Sequence, residues 1–546
     1  MRHASVVPGL LLASMLGAAT AQTTLLSLHG VPGDDFGRSV VAVGDANGDG
    51  IPDVAIAAPA LASTGASGPP PSVRIVSGID GATLVTITGA GDDQLGAALA
   101  AAGDVDLDGI VDLVLGAPGN PDDVDFVQLR SGADGHLLHA WTGSAGIGSV
   151  DQFGAAVAGG RDADGDGVPD VLVGAPGTSA QPLVLYAYAQ LFSGASGQPL
   201  LTLTDTSWLE DYGAGVSLVD DADGDGLADV LLGVPYGVFS GDDGRLELRA
   251  GTTGALLANA PGQLHQGLGA WLRPIVDLSG DLVPELLVGC WGDPAIDLLD
   301  GATFQEWSPI DFNSPKPHSA HACLYGVFSG FPTIFAADDH AYVGDVNTGR
   351  LVGFAGLDFF PDYQYQGVPG DAIGTSVETL GDLNGDGVDE YAVGSRTGAA
   401  PGPYGGTVRV QSFKDFTPPL IYGSSCPGSG GFAPHLLPIH GGSPGEELEL
   451  VTANGLGGAP ALMLFGLQQA SVPLPNGCKL LVSPVLSFTV PFALLSSGPG
   501  AGIASVEGVI PWDTPLGLVF TVQVFVADPG APGHKCATNG VRIVVD

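Results

Sequence analysis

The stretch DANGDGIPD, residues 45–53, places oxygen-bearing side chains at positions 1, 3 and 5, turns through glycine at position 6, and returns a carboxylate at position 9. Copies follow as DVDLDGIVD from Asp104, DADGDGVPD from Asp162 and DADGDGLAD from Asp221, at successive spacings of 59, 58 and 59 residues. A degenerate copy, DLSGDLVPE, begins at Asp277, and a well-kept one, DLNGDGVDE, begins at Asp382. The gap between these last two leaves room for one further unit around residues 321–338, where CLYGVFSGFPTIFAAD keeps the apolar pattern without the acidic loop. A fixed period of this length identifies a repeat architecture, and seven units are counted.

Other landmarks recur in phase with the loops. Each loop is preceded by a short turn: DDFGRSV (34–40), DDQLGAAL (92–99), DQFGAAV (151–157), EDYGAGV (210–216) or DAIGTSV (371–377). Each is followed by an apolar run such as VAIAAP, LVLGAP, VLVGAP, VLLGVP or LLVGCW. A hairpin pattern comes next, as in VRIVSGIDGATLVTI (73–87) and VQLRSGADGHLLHAW (127–141), and returns in blade six as YVGDVNTGRLVGF (342–354). One strand into the loop, one out of it and a hairpin make four short strands per unit. Four-stranded units repeated radially form a β-propeller. The last unit lacks a clear fourth strand, whereas TTLLSLHG (23–30) resembles one. Pairing 23–30 with 407–413 would close the ring and leave neither segment as a bare edge.

Composition agrees. The 546 residues include 87 Gly and 42 Pro, and 45% are hydrophobic, a mix suited to many short strands with frequent turns. After Phe416-Thr417-Pro418-Pro419 the period stops, and strand-like runs between Gly/Pro turns continue to the end. The fold class expected is therefore all-β: a seven-bladed β-propeller followed by a small β-sandwich domain. The boundaries expected are a signal peptide over 1–21, the propeller over 22–415, a linker over 416–425 and the sandwich over 426–546.

The N-terminus has Arg2 and His3, an apolar stretch VVPGLLLASMLGAA, and Ala19-Thr20-Ala21 before Gln22, the pattern of a secretory signal. The expectation is a secreted or cell-surface protein without a membrane span. Five cysteines allow two disulfides and one leftover; Cys426–Cys478 is the pairing expected, while Cys290 and Cys323 lie upstream and Cys536 shares the C-terminal region. Acidic residues (59) outnumber Lys and Arg (16), for a net charge of −43. Such a surface repels phosphate backbones and anionic lipid, so nucleic acid is excluded as a partner class.

Hard oxygen donors converging on a tight loop suit calcium. In the first loop the ligands expected are Asp45, Asn47, Asp49 and Asp53 with the carbonyl of Ile51. The second offers Asp104, Asp106, Asp108, Ile110 and Asp112, the third Asp162, Asp164, Asp166, Val168 and Asp170. The fourth offers Asp221, Asp223, Asp225, Leu227 and Asp229, and the last Asp382, Asn384, Asp386, Val388 and Glu390. About five calcium ions are expected, in structural roles. An EF-hand would need Glu at position 12, and Ile56, Leu115 and Leu232 stand there instead. Ser279 and Leu282 leave the copy at Asp277 without a full ligand set.

The turns Phe36-Gly37 and Phe153-Gly154, the runs Gly116-Ala117-Pro118 and Gly174-Ala175-Pro176, and the acidic loop between them resemble FG-GAP repeats. The resemblance covers residues 23–415. It implies a propeller like the one in integrin α subunits, an adhesion or ligand-binding surface, and calcium on the face away from the ligand. No H-E-x-x-H or P-loop is present, and no catalytic residue is assigned. His318, His321 and His340 of blade six are read as surface histidines. The function expected is a secreted calcium-binding module for extracellular protein or glycan ligands, not an enzyme. The alternatives are a propeller enzyme acting on extracellular polysaccharide, which needs convergent polar groups at the ring centre, and a structural surface protein, which needs no concave site.

Overall fold

A computed structural model describes most of residues 23–544. Residues 61–68, 120–123, 144–150, 178–186, 205–210, 236–243, 262–266, 276–282, 291–294, 312–321, 356–362, 367–371, 386–388, 396–404, 413–419, 441–446 and 511–517, with shorter stretches between, lie outside the description. The expected signal peptide and the histidines 318, 321 and 340 fall there too. The chain divides into two compact units, Thr23–Phe413 and a second one from Lys414 onward.

The first unit is built from four-stranded antiparallel sheets, seven among the described residues. The first sheet runs Val40–Gly44, Asp53–Ala58, Ser72–Val76, Thr83–Thr88, and each neighbour in the chain is its neighbour in the sheet. The first strands of successive sheets lie side by side, from the sixth through the seventh to the first and on to the fifth, so these strands line the middle. The second strand of a sheet is covered on both faces by adjacent sheets. Asp53–Ala58, Asp112–Ala117, Asp170–Ala175 and Asp229–Val234 are accordingly buried at every position and read as unbroken apolar runs after their opening Asp. The fourth strand meets solvent and alternates, as Thr83–Thr88 and Pro199–Thr204 do.

Thr23–His29 pairs antiparallel with Thr407–Ser412, matching His29 to Thr407 and Thr23 to Ser412. The seventh sheet is thus made from both ends of the unit, and this pairing replaces two open edges with one ladder.

The recurring glycines lock sheet to sheet. Gly154, in the turn before the third sheet, has φ +89° and donates its N–H to the Gly174 carbonyl of the same sheet at 3.0 Å. Its own carbonyl lies over Gly116 of the preceding sheet, where a Cβ would stand 2.0 Å from the oxygen. The same seat recurs as Gly213 over Gly174, Gly269 over Gly233 and Gly37 over Gly394. The two glycines of each repeat are therefore one interlock between neighbouring blades.

Buried polar groups also cross these junctions. Asp34 accepts from the N–H of Val31 and Phe36 and pairs with Arg74 at 3.2 Å, with the Arg74 guanidinium 4.6 Å from the Phe36 ring centre. Between the second and third sheets, the corresponding Asp151 accepts from the Tyr188 hydroxyl at 3.0 Å and meets Asp125 instead of a cation. Asp125 is 3% exposed, and burial, then the shared proton and charge of Asp151, push its carboxyl up to about 8. The folded chain therefore holds this proton between about pH 4 and 8 where the unfolded chain releases it, so stability from this site falls as pH rises through that window. Asp125→Asn is expected to raise the thermal midpoint at pH 8 more than at pH 5; equal shifts at both pH values would refute the assignment.

The sixth sheet departs from the repeat. Ala322–Phe328 and Phe331–Asp338 pair in register down to Phe328 opposite Phe331, with no room for an acidic loop. The hairpin read at 342–354 is displaced: Arg350–Ala355 is the third strand, paired with Phe331–Asp338, and Tyr363–Gln366 is the fourth. The long second strand sets this register, because it leaves its last paired position, Asp338, opposite Arg350.

The second unit holds a five-stranded sheet ordered Leu420–Tyr422, Lys535–Val544, Val519–Ala527, Pro460–Gly466, Phe488–Ala493, and a three-stranded sheet of His435–His440, Glu447–Gly457 and Gly498–Val509. Leu436, Leu450 and Ala504 of the smaller sheet share one apolar core with Met463, Val522, Val524 and Val541 of the larger. Leu420–Tyr422, read as linker, is a strand opposite Arg542–Gly540. Cys426 and Cys478 form a disulfide and Cys536 is a buried thiol.

Candidate metal centres

Each acidic loop joins the first strand of a sheet to the second. Its turn is held by its own side chains. Asp45 accepts from the N–H of Asp49 at 2.9 Å and of Gly50 at 2.7 Å, Asn47 accepts from Asp49, and Asp49 from Ile51. Asp104, Asp106 and Asp108 repeat these bonds, as do Asp221, Asp223 and Asp225; in the third loop Asp164 and Asp166 do the same, while Asp162 takes the N–H of Gly165 and Gly167. Short polar side chains that fold back on the following backbone favour such turns over a continued strand.

The bonds aim carboxylates inward. Oxygens of Asp104, Asp106 and Asp108 lie within 4.8 Å of one another, as do those of Asp162, Asp164 and Asp170, and of Asp221, Asp223 and Asp225. Three carboxylates this close repel unless a cation or protons intervene. The donors are all hard oxygen, with Asn47 and Asn384 as neutral members, so the set fits a hard divalent ion.

The carboxylate at position 9 has a second task. Asp53 is fully buried and accepts from the N–H of Ala46 and Asn47 in its loop and from Gly78 N–H in the following hairpin, at 3.0 Å. Asp112 takes the N–H of Gly132, Asp170 that of Gly194 and Asp229 that of Gly251 in the same way. A Cβ on Gly78 would stand 2.0 Å from the Pro52 carbonyl, which explains the invariable glycine of these hairpins within this chain. Burial raises the pKa of all four carboxyls against the pull of these N–H groups, and nearby loop aspartates add to it; Asp112 and Asp170 reach about 6. A cation beside them would favour the ionised form.

In the last loop Asp382 accepts from Gly385 N–H, and Glu390 from Leu383 N–H and the Asn384 side chain. Asp386 and Val388 lie outside the described residues, as do Asp277, Ser279 and Leu282 of the degenerate copy. Ile56, Leu115 and Leu232 are fully buried in second strands, so position 12 cannot supply a ligand. Two neighbours were not anticipated. The Thr252 hydroxyl donates to Asp225, and His136 sits 3.9 Å from Asp106 while bonding Asp134 at 2.7 Å. Both come from the hairpin turn that follows the loop, and only the recurring phase of that turn hinted at the contact.

Leu107 stands where the other loops have glycine, at φ +62°, and is 70% exposed. A left-handed leucine is strained by about 1–2 kcal/mol. Leu107→Gly relieves this while adding freedom to the unfolded chain, for an expected net gain of about 0.5–1 kcal/mol in denaturant melts. A loss of stability would mean that the leucine makes a contact of value.

The arrangement defines a β-propeller whose blades carry acidic strand–loop–strand turns. The chain carries FG-GAP repeats: the family model described as FG-GAP repeat matches residues 36–67 and 153–186. It is similar to integrin alpha subunits, being 33% identical over 228 residues to integrin alpha-5 of Xenopus laevis, a match covering 37% of this chain and 20% of that protein. It is 29% identical over 221 residues to integrin alpha-8 of Mus musculus, covering 37% and 20%, and 38% identical over 112 residues to integrin alpha pat-2 of Caenorhabditis briggsae, covering 19% and 9%. The matches thus span a fifth or less of these relatives. Among solved structures, the Dos1 propeller aligns with a TM-score of 0.40 at 9% identity, covering 67% of this chain and 75% of that one.

Proposed function

We propose that this protein is a secreted, calcium-binding propeller that serves as a binding or adhesion module for an extracellular protein or glycan. The observation that carries the reading is the in-phase convergence of oxygen donors at one end of the first strands, loop after loop. Calcium at Asp45–Asp53, Asp104–Asp112, Asp162–Asp170, Asp221–Asp229 and Asp382–Glu390 then has a structural part, because the position-9 carboxylates of the first four loops tie them to the next hairpin. The ions hold the blades, and the opposite end of the ring is left to meet the ligand. Similarity to integrin alpha subunits supports a ligand-binding role, and the Cys426–Cys478 disulfide supports an oxidising compartment. Elemental analysis of the purified chain, followed by glycan and protein arrays with calcium and with chelator, tests the proposal. It expects bound calcium and array signals that chelator abolishes; a calcium-free protein, or turnover of a polysaccharide on the array, would overturn it.

A further inference from the structure

Asn-Gly occurs five times in the chain, and two of these pairs stand at positions 3 and 4 of acidic loops: Asn47-Gly48 in the first and Asn384-Gly385 in the last. Asn454-Gly455 and Asn539-Gly540 lie in strands, and Asn476-Gly477 lies outside the described residues. Asparagine before glycine is chemically labile, because the glycine nitrogen reaches the asparagine Cγ with no side chain in its way. The two loops treat the pair differently. In the last, Gly385 donates its N–H to Asp382 at 2.7 Å, and the Asn384 amide donates to Glu390 at 2.6 Å and to the Ser412 hydroxyl at 3.2 Å. Gly165 and Gly224, at the same position of the third and fourth loops, likewise give their N–H to the position-1 carboxylate, each at 2.6 Å. In the first loop Asp45 takes the N–H of Asp49 and Gly50 instead, and the Gly48 N–H has no acceptor among the described residues. Gly48 is exposed, and nothing lies within 4 Å of where its Cβ would stand. The Asn47 amide nitrogen has one partner among the described residues, Asp53, at 3.5 Å. Its carbonyl oxygen accepts from Asp49 N–H at 2.9 Å, which folds the carboxamide back along Gly48.

We infer that Asn47-Gly48 is a modification site, at which the chain deamidates itself when the first loop holds no cation. The Gly48 nitrogen gives up its proton to water and bonds to Asn47 Cγ; the Cγ–Nδ2 bond breaks and ammonia leaves. Water then opens the cyclic imide at either carbonyl. Each event therefore consumes a water, releases an ammonia and leaves aspartate or isoaspartate. The ring cannot close without drawing Asn47 Oδ1 away from its place as a position-3 ligand. With that oxygen engaged on a cation the movement forfeits a contact, so the occupied loop is guarded. This guard rests on the metal reading above, whereas the site rests on the unbonded Gly48 nitrogen. The two products differ in consequence. Aspartate gives the first loop the Asp-x-Asp-x-Asp set of loops two to four. Isoaspartate lengthens the backbone before Gly48 by a carbon, which puts Asp49 out of phase with Asp45 and dismantles the ligand set. The loop thus keeps a covalent record of time spent without metal.

The test is site-resolved peptide mapping by mass spectrometry of the full chain after incubation in calcium or in chelator, with elemental analysis of both samples. In chelator Asn47 is expected to convert at least about tenfold faster than Asn384, whose glycine nitrogen must first leave a charged acceptor. Asn454 and Asn539 should stay intact, since Gly455 opposite Gly502 and Gly540 opposite Gln523 are held in sheet ladders. Calcium at about 10 mM should slow Asn47 by about 10–100-fold, the factor by which it depletes the empty loop at Kd values of about 10⁻⁴–10⁻³ M. Conversion of Asn47 no faster than that of Asn384, Asn454 and Asn539 in chelator would overturn the assignment. Equal rates at Asn47 in both samples, with calcium bound in one, would overturn the guard and leave the site standing. A calcium sample without bound metal would refute the metal reading instead, and the chelator sample would still decide the site.

Discussion

Chelator is expected to lower the thermal midpoint of the propeller by about 9–17 °C relative to the protein in about 10 mM calcium. The size follows from mass action. Extracellular calcium modules have Kd values of about 10⁻⁴–10⁻³ M, so saturation contributes about 1.4–2.7 kcal/mol per site. Five loops together give about 7–14 kcal/mol, which an unfolding entropy of about 2.1 cal/mol/K per residue converts to that shift. The loops act on one cooperative body because each is tied outward. Ala228 N–H of the fourth loop bonds the Asp162 carbonyl of the third at 2.9 Å, and the Gly103 turn packs on Pro169. Magnesium should restore less of the midpoint than calcium, since it takes flexible, oxygen-rich loops less readily. A midpoint indifferent to chelator would remove the metals from the account of stability.

The second large effect is expected at the blade interlock. Gly116→Ala puts a methyl 2.0 Å from the Gly154 carbonyl, a backbone atom that cannot swing aside. The two sheets must part or the ladder must bend, for an expected loss of about 3–4 kcal/mol, measured in urea melts. Gly91→Ala is the control: its φ is +60° and nothing lies within 4 Å of the added methyl, so only about 1 kcal/mol of backbone strain is expected. Similar losses for both variants would show that close contact between the blades is not what the glycine serves.

The parts of this protein that could be read from sequence are those whose cause is local. The acidic loop is written within nine residues because its turn is made by its own side chains, and the second strands are legible because burial on both faces demands unbroken apolar runs. The closing ladder was legible as well, since the last unit lacked a strand that Thr23–His29 could supply. What stayed hidden depends on partners far away in the chain. Asp125 looks like an ordinary surface acid until the next sheet brings Asp151 against it. Blade six misled because its hairpin signal, Asn347-Thr348-Gly349-Arg350, names a turn but not which strand of a sheet it opens. Leu420–Tyr422 is too short to carry any periodicity and is a strand only through its ladder partner.

Because His29 must wait for Thr407, 378 positions later, the first strand to leave the ribosome has no mate until the last sheet has been made. At about 5–20 residues per second, that interval is on the order of 20–75 s of synthesis. Throughout it, an unpaired strand edge is open to capture by other chains or by a protease. Any product stopped before residue 407 is an open fan rather than a ring, which gives quality control a clear feature by which to tell finished molecules from abandoned ones.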